Sequence, residues 1–360
     1  MSASTATFVP RVVLHAVPQI DANTAASEWD AYVASRPRAT LYHLHGWKTV
    51  AERAYGIDAP FLSVRDGRGG LIRGVLPLFR LPRPFAPYLT SGLFGAYGPL
   101  LADEEHHARA LLDAARALVE EGRGKFLHLK LLGDLPPDAT FARRDIWVTM
   151  RLTLPQPDEA ALWRSLRDSL RSDIRHAQHT ALGGSLRHGD LDGFYDVLSE
   201  NMHHKGSPMY GRRFFEELRS SLGTHTDVLT LHLDGRAVSG AFVASFGGAM
   251  YVPFASSRPS VFPMRPNHLL YWEILRLSQQ LGLRTLDFGS SLRDSSGLMF
   301  KRRWGARPEP VSSYLWAEKG VVPAIEPGDS ALARATVRLW KRLPRFLTEA
   351  LGPTVIQWIA

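Results

Sequence analysis

The sequence predicts an α+β protein built by tandem duplication, each copy a mixed, mostly antiparallel sheet flanked by helices. Two observations carry this. An Asp-Gly pair joins two apolar runs at two places in the chain: Asp66-Gly67 between Phe61–Val64 and Leu71–Phe79, and Asp234-Gly235 between Leu229–Leu233 and Ala237–Phe246. After each hairpin come an amphipathic helix that stops at a glycine and a short apolar strand. The same order twice in one chain marks a repeated unit. The residues of the two copies differ, so the inference rests on element order.

Each element has its own local reason. Asp-Gly supplies the positive φ that a tight hairpin requires. Gly247-Gly248 turns the second copy again, into the strand Ala249–Phe254, so that copy reads as a meander. The first helix runs over Glu104–Glu121, closes at Gly122 and precedes the strand Phe126–Leu131. Its counterpart spans Asn267–Leu281, closes at Gly282 and precedes Thr285–Phe288. A glycine just past the last turn is the left-handed cap expected of a helix end. Between the copies lie Leu154-Pro155-Gln156-Pro157 and a helical stretch from Asp158 to Thr180, which put the boundary near residue 150. The copies are then 1–150, structural or on the acceptor side, and 151–320, which holds the motif-rich cleft. A second breaker-rich stretch, Glu318–Ser330 with Pro323, Pro327 and Gly328, sets off a basic tail over 321–360.

Composition narrows the function classes. The chain has 360 residues, enough for two cores, with 45% hydrophobic and 22% charged residues, as in a globular protein. It has no cysteine, which excludes disulfides, thiolate metal sites and a cysteine nucleophile. A net charge of +8 suits an anionic partner, such as a nucleotide-linked donor, tRNA, a phosphorylated lipid or a membrane surface, and it also serves plain solubility. Met1–Pro10 lacks a signal-peptide pattern, and no apolar run approaches the roughly 20 residues that span a bilayer. A cytoplasmic protein, peripheral at most to the inner membrane face, is expected.

Several local motifs carry a family resemblance. In the first half these are Tyr42-His43-Leu44-His45-Gly46-Trp47, Tyr55-Gly56, Gly74-Val75-Leu76-Pro77-Leu78 and Tyr97-Gly98-Pro99. In the second they are Asn201-Met202, Gly206-Ser207-Pro208, Asn267, Asp287-Phe288-Gly289-Ser290-Ser291, Gly297 and Phe300-Lys301-Arg302-Arg303-Trp304-Gly305. Over roughly residues 40 to 316 the chain resembles the FemAB-like transferases, tandem GNAT-fold acyltransferases of the kind that accompany exopolysaccharide or protein-sorting systems. The resemblance implies transfer of an acyl or aminoacyl group to an amine of a cell-envelope or exopolysaccharide precursor. The implied donor is aminoacyl-tRNA, as in the peptidoglycan-bridge members, or acyl-CoA, as in other GNAT enzymes; the alternative activity is acetyl- or acyl-CoA-dependent N-acyltransfer to a sugar or small amine. Relatives often carry arginine after Asp-Phe-Gly; here Ser290 stands there, and Arg293 is the nearby substitute.

Amine acylation requires an uncharged amine, a poised carbonyl and a group that stabilises the oxyanion, with no covalent nucleophile. No Gly-x-Ser-x-Gly elbow or His-Glu-x-x-His pair is present. The adjacent histidines at 106–107 and 203–204 lack metal-ligand spacing and read as local hydrogen-bonding residues. Lys301, between Phe300 and Arg302-Arg303, is the first catalytic candidate, and the resemblance points to it as well. Asp287 is the second, as a base or as a cap on the loop after its strand. Arg164, Arg167, Arg171 and Arg175 recur at helical spacing and would form one phosphate-binding face, with Arg171 and Arg175 as its core. Arg258 and Arg265 lie in the loop Ser256–Asn267 that feeds the second glycine-closed helix and make a candidate anion site. Asn201, Tyr210, Asn267, Tyr271, Ser290 and Arg293 complete the expected substrate-binding set. No metal is called for. In the tail, Arg334, Arg338, Lys341, Arg342 and Arg345 around Leu339, Trp340, Leu343 and Phe346 suit an anionic membrane surface or, preferably, docking on the N-terminal copy. A non-catalytic module that binds a polyanionic envelope glycan is the reading from another class. Sequence-specific nucleic-acid binding has no supporting signature.

Overall fold

The computed structural model describes residues 18–359 except 95, 99, 139, 156–157, 294 and 321–330. Met1–Pro10, Pro99, Gln156-Pro157 and the 321–330 part of the second linker therefore lie outside the described residues, as does the side chain of Arg334.

The first half contains β1 (Pro18–Asp21), α1 (Ala26–Ala34), α2 (Gly46–Tyr55), β2 (Phe61–Asp66), β3 (Ile72–Pro77), β4 (Phe79–Leu81), β5 (Tyr88–Thr90), β6 (Leu101–Ala102), α3 (Glu105–Leu118), β7 (Leu127–Leu132) and β8 (Ala142–Thr153). The second contains α4 (Glu159–Ser165), α5 (Asp168–Gln178), β9 (Leu186–His188), α6 (Leu191–Lys205), α7 (Arg212–Leu222), β10 (Thr226–Leu233), β11 (Arg236–Phe246), β12 (Ala249–Ser257), α8 (Pro266–Gln280), β13 (Thr285–Leu292), α9 (Ser296–Arg303) and β14 (Arg307–Trp316). The tail forms α10 (Ala331–Arg342) and α11 (Arg345–Ile359). Both predicted hairpins are present, and both glycine-closed helices end where expected. Asp234 and Gly235 sit at φ of 50° and 76°, the pairing a two-residue turn between twisted strands requires.

The strands form two sheets. One has the order β1-β2-β3-β6, and the other is ten-stranded with the order β4-β5-β7-β14-β8-β13-β12-β11-β10-β9. The large sheet has an internal symmetry. In each copy a parallel pair, β5 with β7 or β12 with β13, is followed by a strand from the other copy, β14 beside β7 and β8 beside β13. The two exchanged strands pair with each other at the centre. Residue 150 thus lies inside a first-copy strand that completes the second copy's sheet.

One apolar core spans both halves. Trp29, Phe61 and Tyr97 of the first pack in the same cluster as Phe214, Phe215, Phe242 and Tyr251 of the second. A second cluster lies between the α5–α8 layer and the second copy's strands, and a third beneath α3.

Two expectations change. The helix predicted over Asp158–Thr180 breaks at Leu166, whose ψ of 143° is extended. Leu162, Leu166, Leu170 and Ile174 are all buried as their spacing implies, but the break turns α5 onto α8. Arg164 and Arg175 therefore sit on different helices, and the four arginines do not share one face. The tail docks, with its main helix contacts on α6 of the second copy where the N-terminal copy was expected. Trp340 and Ile356 are its buried anchors, and Arg345 pairs with Asp196 and Glu349.

Candidate active site

The site begins where β12 and β13 part. They pair in parallel from Ala249↔Thr285 to Tyr251↔Asp287 and no further. Asp287, at the last pair, is fully buried. Its Oδ1 accepts from the Thr149 hydroxyl at 2.7 Å and the Gly289 N–H at 2.8 Å. Its Oδ2 accepts from Arg151 Nε at 3.1 Å and from the Tyr97 hydroxyl. A buried carboxylate is tolerated only when its charge and lone pairs are met in this way. Tyr97 and β8 belong to the first copy, so Asp287 ties the halves together. It does not line the cleft described below.

The Asp287–Gly289 bond bends the strand. Pairing with β8 skips from Asp287↔Arg151 to Ser290↔Thr149, a bulge at Phe288-Gly289. Gly289 has φ 75°, in the left-handed region that glycine adopts without steric cost. The bulge presents its carbonyls to the lysine of α9. Lys301 Nζ donates to Gly289 O at 2.8 Å, to Ser291 Oγ at 2.9 Å and to Ser290 O at 3.4 Å. Burial pulls its ammonium down to about 8, while the Asp287 carboxylate pulls the other way.

Lys301 stands on the wall of a 350 Å³ cleft. Gly289, Ser290, Tyr271 and Phe288 flank it, and Val252, Pro253 and Ala255 of β12 form one side. Tyr210, Phe214, Met202 and Phe254 supply an aromatic and apolar wall from the second copy. Tyr42, Trp47, Leu93, Phe94 and Ala96 close it from the first. Rings meet edge-on at about van der Waals range, with Tyr210 5.3 Å from Phe94 and 5.0 Å from Phe254.

The first copy has the same parting of strands, put to another use. There β5 and β7 pair only over Leu89↔Leu127 and Thr90↔His128. His128 takes the place of Asp287 and contacts Ser313 of the exchanged strand at 3.3 Å, as Asp287 contacts Thr149. Burial pushes the His128 imidazole well below its usual range, so it stands neutral. The loop after β5 folds back here: Ser91 Oγ accepts the Lys130 N–H at 2.9 Å and donates to Gly98 O at 3.3 Å. A Cβ on Gly98 would lie 1.3 Å from the Ser91 carbonyl oxygen. This loop carries Leu93, Phe94 and Ala96 into the second copy's cleft and Tyr97 onto Asp287.

The other expected site residues divide. Tyr210, Tyr271 and Ser290 line the cleft with Lys301. Asn201 and Asn267 lie in the supporting layer: Asn201 Nδ2 donates to Ser256 Oγ at 2.6 Å, and Asn267 Oδ1 accepts from Ser257 Oγ at 2.7 Å. Arg258 is buried, bonded to Ala237 O at 2.9 Å and paired with Asp196 and Glu200, so its charge is spent inside the fold. Arg265 Nε pairs with Asp173 at 3.3 Å, a carboxylate that Arg303 also meets at 2.9 Å. Arg171 pairs with Asp168, and Arg175 lies over the Trp163 ring at 5.2 Å. Arg293 is exposed in the turn after β13 and does not line the cleft. Thr149, Arg151 and the first-copy aromatics were absent from the sequence-based set. Tyr42, Trp47 and Tyr97 are visible in the sequence only as parts of motifs. Among the described residues, no group of His, Asp and Glu is arranged to hold a metal ion.

A duplicated sheet with one parted parallel pair per copy, and exchanged closing strands, defines a tandem GNAT fold. Residues 164–297 match the acetyltransferase (GNAT) domain family. A curated relative, the Lipid II:glycine glycyltransferase of Staphylococcus haemolyticus (strain JCSC1435), is 28% identical over 127 residues. That match covers 33% of this chain and 30% of the relative, so it spans less than a third of that protein. Among solved structures, FemX superposes with a TM-score of 0.63 at 17% identity, covering 83% of this chain and 97% of that one. A tandem GNAT protein from the clavulanic acid biosynthesis pathway gives 0.52 at 14% identity, over 86% and 100% of the two chains. The chain thus carries a match to the GNAT acetyltransferase domain over residues 164–297, within a tandem fold like that of FemX.

Proposed function

We propose that this protein is an acyltransferase that moves an acyl or aminoacyl group onto an amine of a cell-envelope or exopolysaccharide precursor. The observation that carries the reading is the placement of Lys301, held by the Gly289–Ser291 bulge on the wall of a cleft at the parted strands. In such a reaction the neutral amine attacks the donor carbonyl, a C–N bond forms, and the ester or thioester bond to the donor breaks. The amine's proton leaves to the departing oxygen or sulfur, or to water. Lys301 in its ammonium form stabilises the oxyanion that develops between these steps. Asp287 acts through position, fixing the bulge that holds Lys301. Tyr210, Tyr271 and Ser290 are the residues assigned to substrate contact.

The donor is aminoacyl-tRNA or an acyl-CoA, both anionic and in keeping with the net charge of +8. Calorimetry with acetyl-CoA, longer acyl-CoAs and a charged-tRNA mimic, on wild type and Lys301→Ala, separates them. A tRNA-mimic response without a CoA response supports aminoacyl transfer, and a CoA response lost in the variant supports acyl-CoA chemistry. Silence toward every donor would replace the enzyme by a glycan-binding module.

A further inference from the structure

The outer face of the C-terminal helical hairpin plays no part in the site above. Its inner face is well fixed. Trp340 and Ile356 are buried against α6, and Gly352 passes so close to Met209 that a Cβ there would lie 2.8 Å from the Met209 carbonyl oxygen. The outer face is apolar and uncovered. Phe346 is 66% exposed, Leu339 63% and Leu351 49%, with Leu347 and Trp358 also exposed. Leu347, Leu351 and Trp358 recur at helical spacing and form one stripe along α11, beside Phe346.

Within the two tail helices the exposed charges beside this stripe are basic, while Asp196 and Glu200 of α6 are paired with Arg345. Arg338 and Arg342 are exposed on α10, while the stem of Lys341 lies against Gly206 at the end of α6. From residue 331 to the last, Glu349 is the only acidic residue, and it is engaged by Arg345 and Ser199. A second copy of this chain would bring arginines against arginines. An anionic bilayer complements both parts of the face, since apolar side chains enter the acyl boundary while arginines stay among the headgroups. Among the described residues no helix is long and apolar enough to cross a membrane. The hairpin would therefore lie on the surface.

We propose that the outer face of α10–α11 docks this protein onto an anionic lipid bilayer. The inference does not depend on the acyl-transfer reading. The two meet at one point, because α11 packs on the loop that leads from Met209 to Tyr210 and Gly211, and Tyr210 is a wall of the cleft.

The test uses the full chain with vesicles of phosphatidylglycerol and phosphatidylcholine, compared with phosphatidylcholine alone. Sedimentation with the anionic vesicles, reversed by high salt, is expected. A blue shift of tryptophan emission, absent in Trp358→Phe, should accompany it. Phe346→Glu with Leu351→Glu removes binding, and Arg338→Gln with Arg342→Gln weakens it about 30-fold, at roughly fivefold per basic side chain. These positions are exposed, so the thermal melt of each variant should match wild type. Equal binding to neutral vesicles, or binding untouched by both variants, would overturn the proposal. So would a dimer in light scattering that the Glu variant dissociates, which would make this face a contact between copies.

Discussion

Lys301 and Asp287 are a cation and an anion in one small region, and the proposed function gives them different duties. Burial draws the lysine ammonium down to about 8, so it is still largely charged at pH 7. An oxyanion-stabilising role requires that charge, so turnover at saturating substrate should fall as pH rises through about 8. A rise over the same interval would instead identify the neutral amine as a base. The stability linkage has the opposite sense. An unfolded lysine titrates near 10.4, so between about 8 and that value the unfolded chain binds the extra proton. Stability of wild type relative to Lys301→Met should therefore increase with pH across this window, as denaturant titrations at pH 7.5 and 9.5 can measure. Lys301→Ala should lower turnover by about 10²- to 10³-fold with little change in the melt. For Asp287 the expectation is structural. Asp287→Asn leaves Arg151 without its buried partner and should cost about 3 kcal/mol of stability. A variant that melts like wild type yet does not turn over would restore Asp287 as a base.

At the scale of elements, the bulge in β13 and the loop after β5 do most to shape the site. Gly289→Ala forces a side chain into the left-handed region and should cost about 1–3 kcal/mol. It also moves the carbonyls that hold Lys301, so activity should fall further than stability. Kinetics and denaturation on the same variant test this, and parallel losses would mean that the bulge serves the fold alone. Gly98→Ala meets a backbone oxygen, which cannot swing aside as a side-chain tip would. That loop should be displaced, withdrawing Tyr97 from Asp287 and Phe94 from the cleft together.

For the whole molecule, the exchanged strands make two halves that share one sheet. Cutting the chain between residues 153 and 158 separates β8 from β13 and strips the second half of its pairing partner. Each fragment would then expose a long unpaired edge and half of a common core. Expressed alone, neither should fold, and the intact chain should unfold in one calorimetric transition. Two independent transitions, or a folded 158–360 fragment, would contradict this.

Much of this arrangement was legible in the sequence because it is written locally. The Asp-Gly and Gly-Gly turns, the glycine-closed helices and the apolar alternation of the strands depend on neighbours within a few residues, and their order exposed the duplication. The Asp-Phe-Gly and Phe-Lys segments drew attention to Lys301 through a family resemblance, and the fold puts that lysine on the cleft wall. What the tertiary structure alone decided involves partners far apart in the chain. These are the exchange of β8 and β14, the break at Leu166 that turns α5 onto α8, the seating of the tail on α6, and the meeting of Tyr97 with Asp287 across 190 positions. Arg258 shows why: its sequence neighbourhood suggests an anion site, while Asp196 and Glu200 consume its charge from another helix. Local pattern specifies which face of an element is apolar, but pairing and burial select which of the compatible faces it meets.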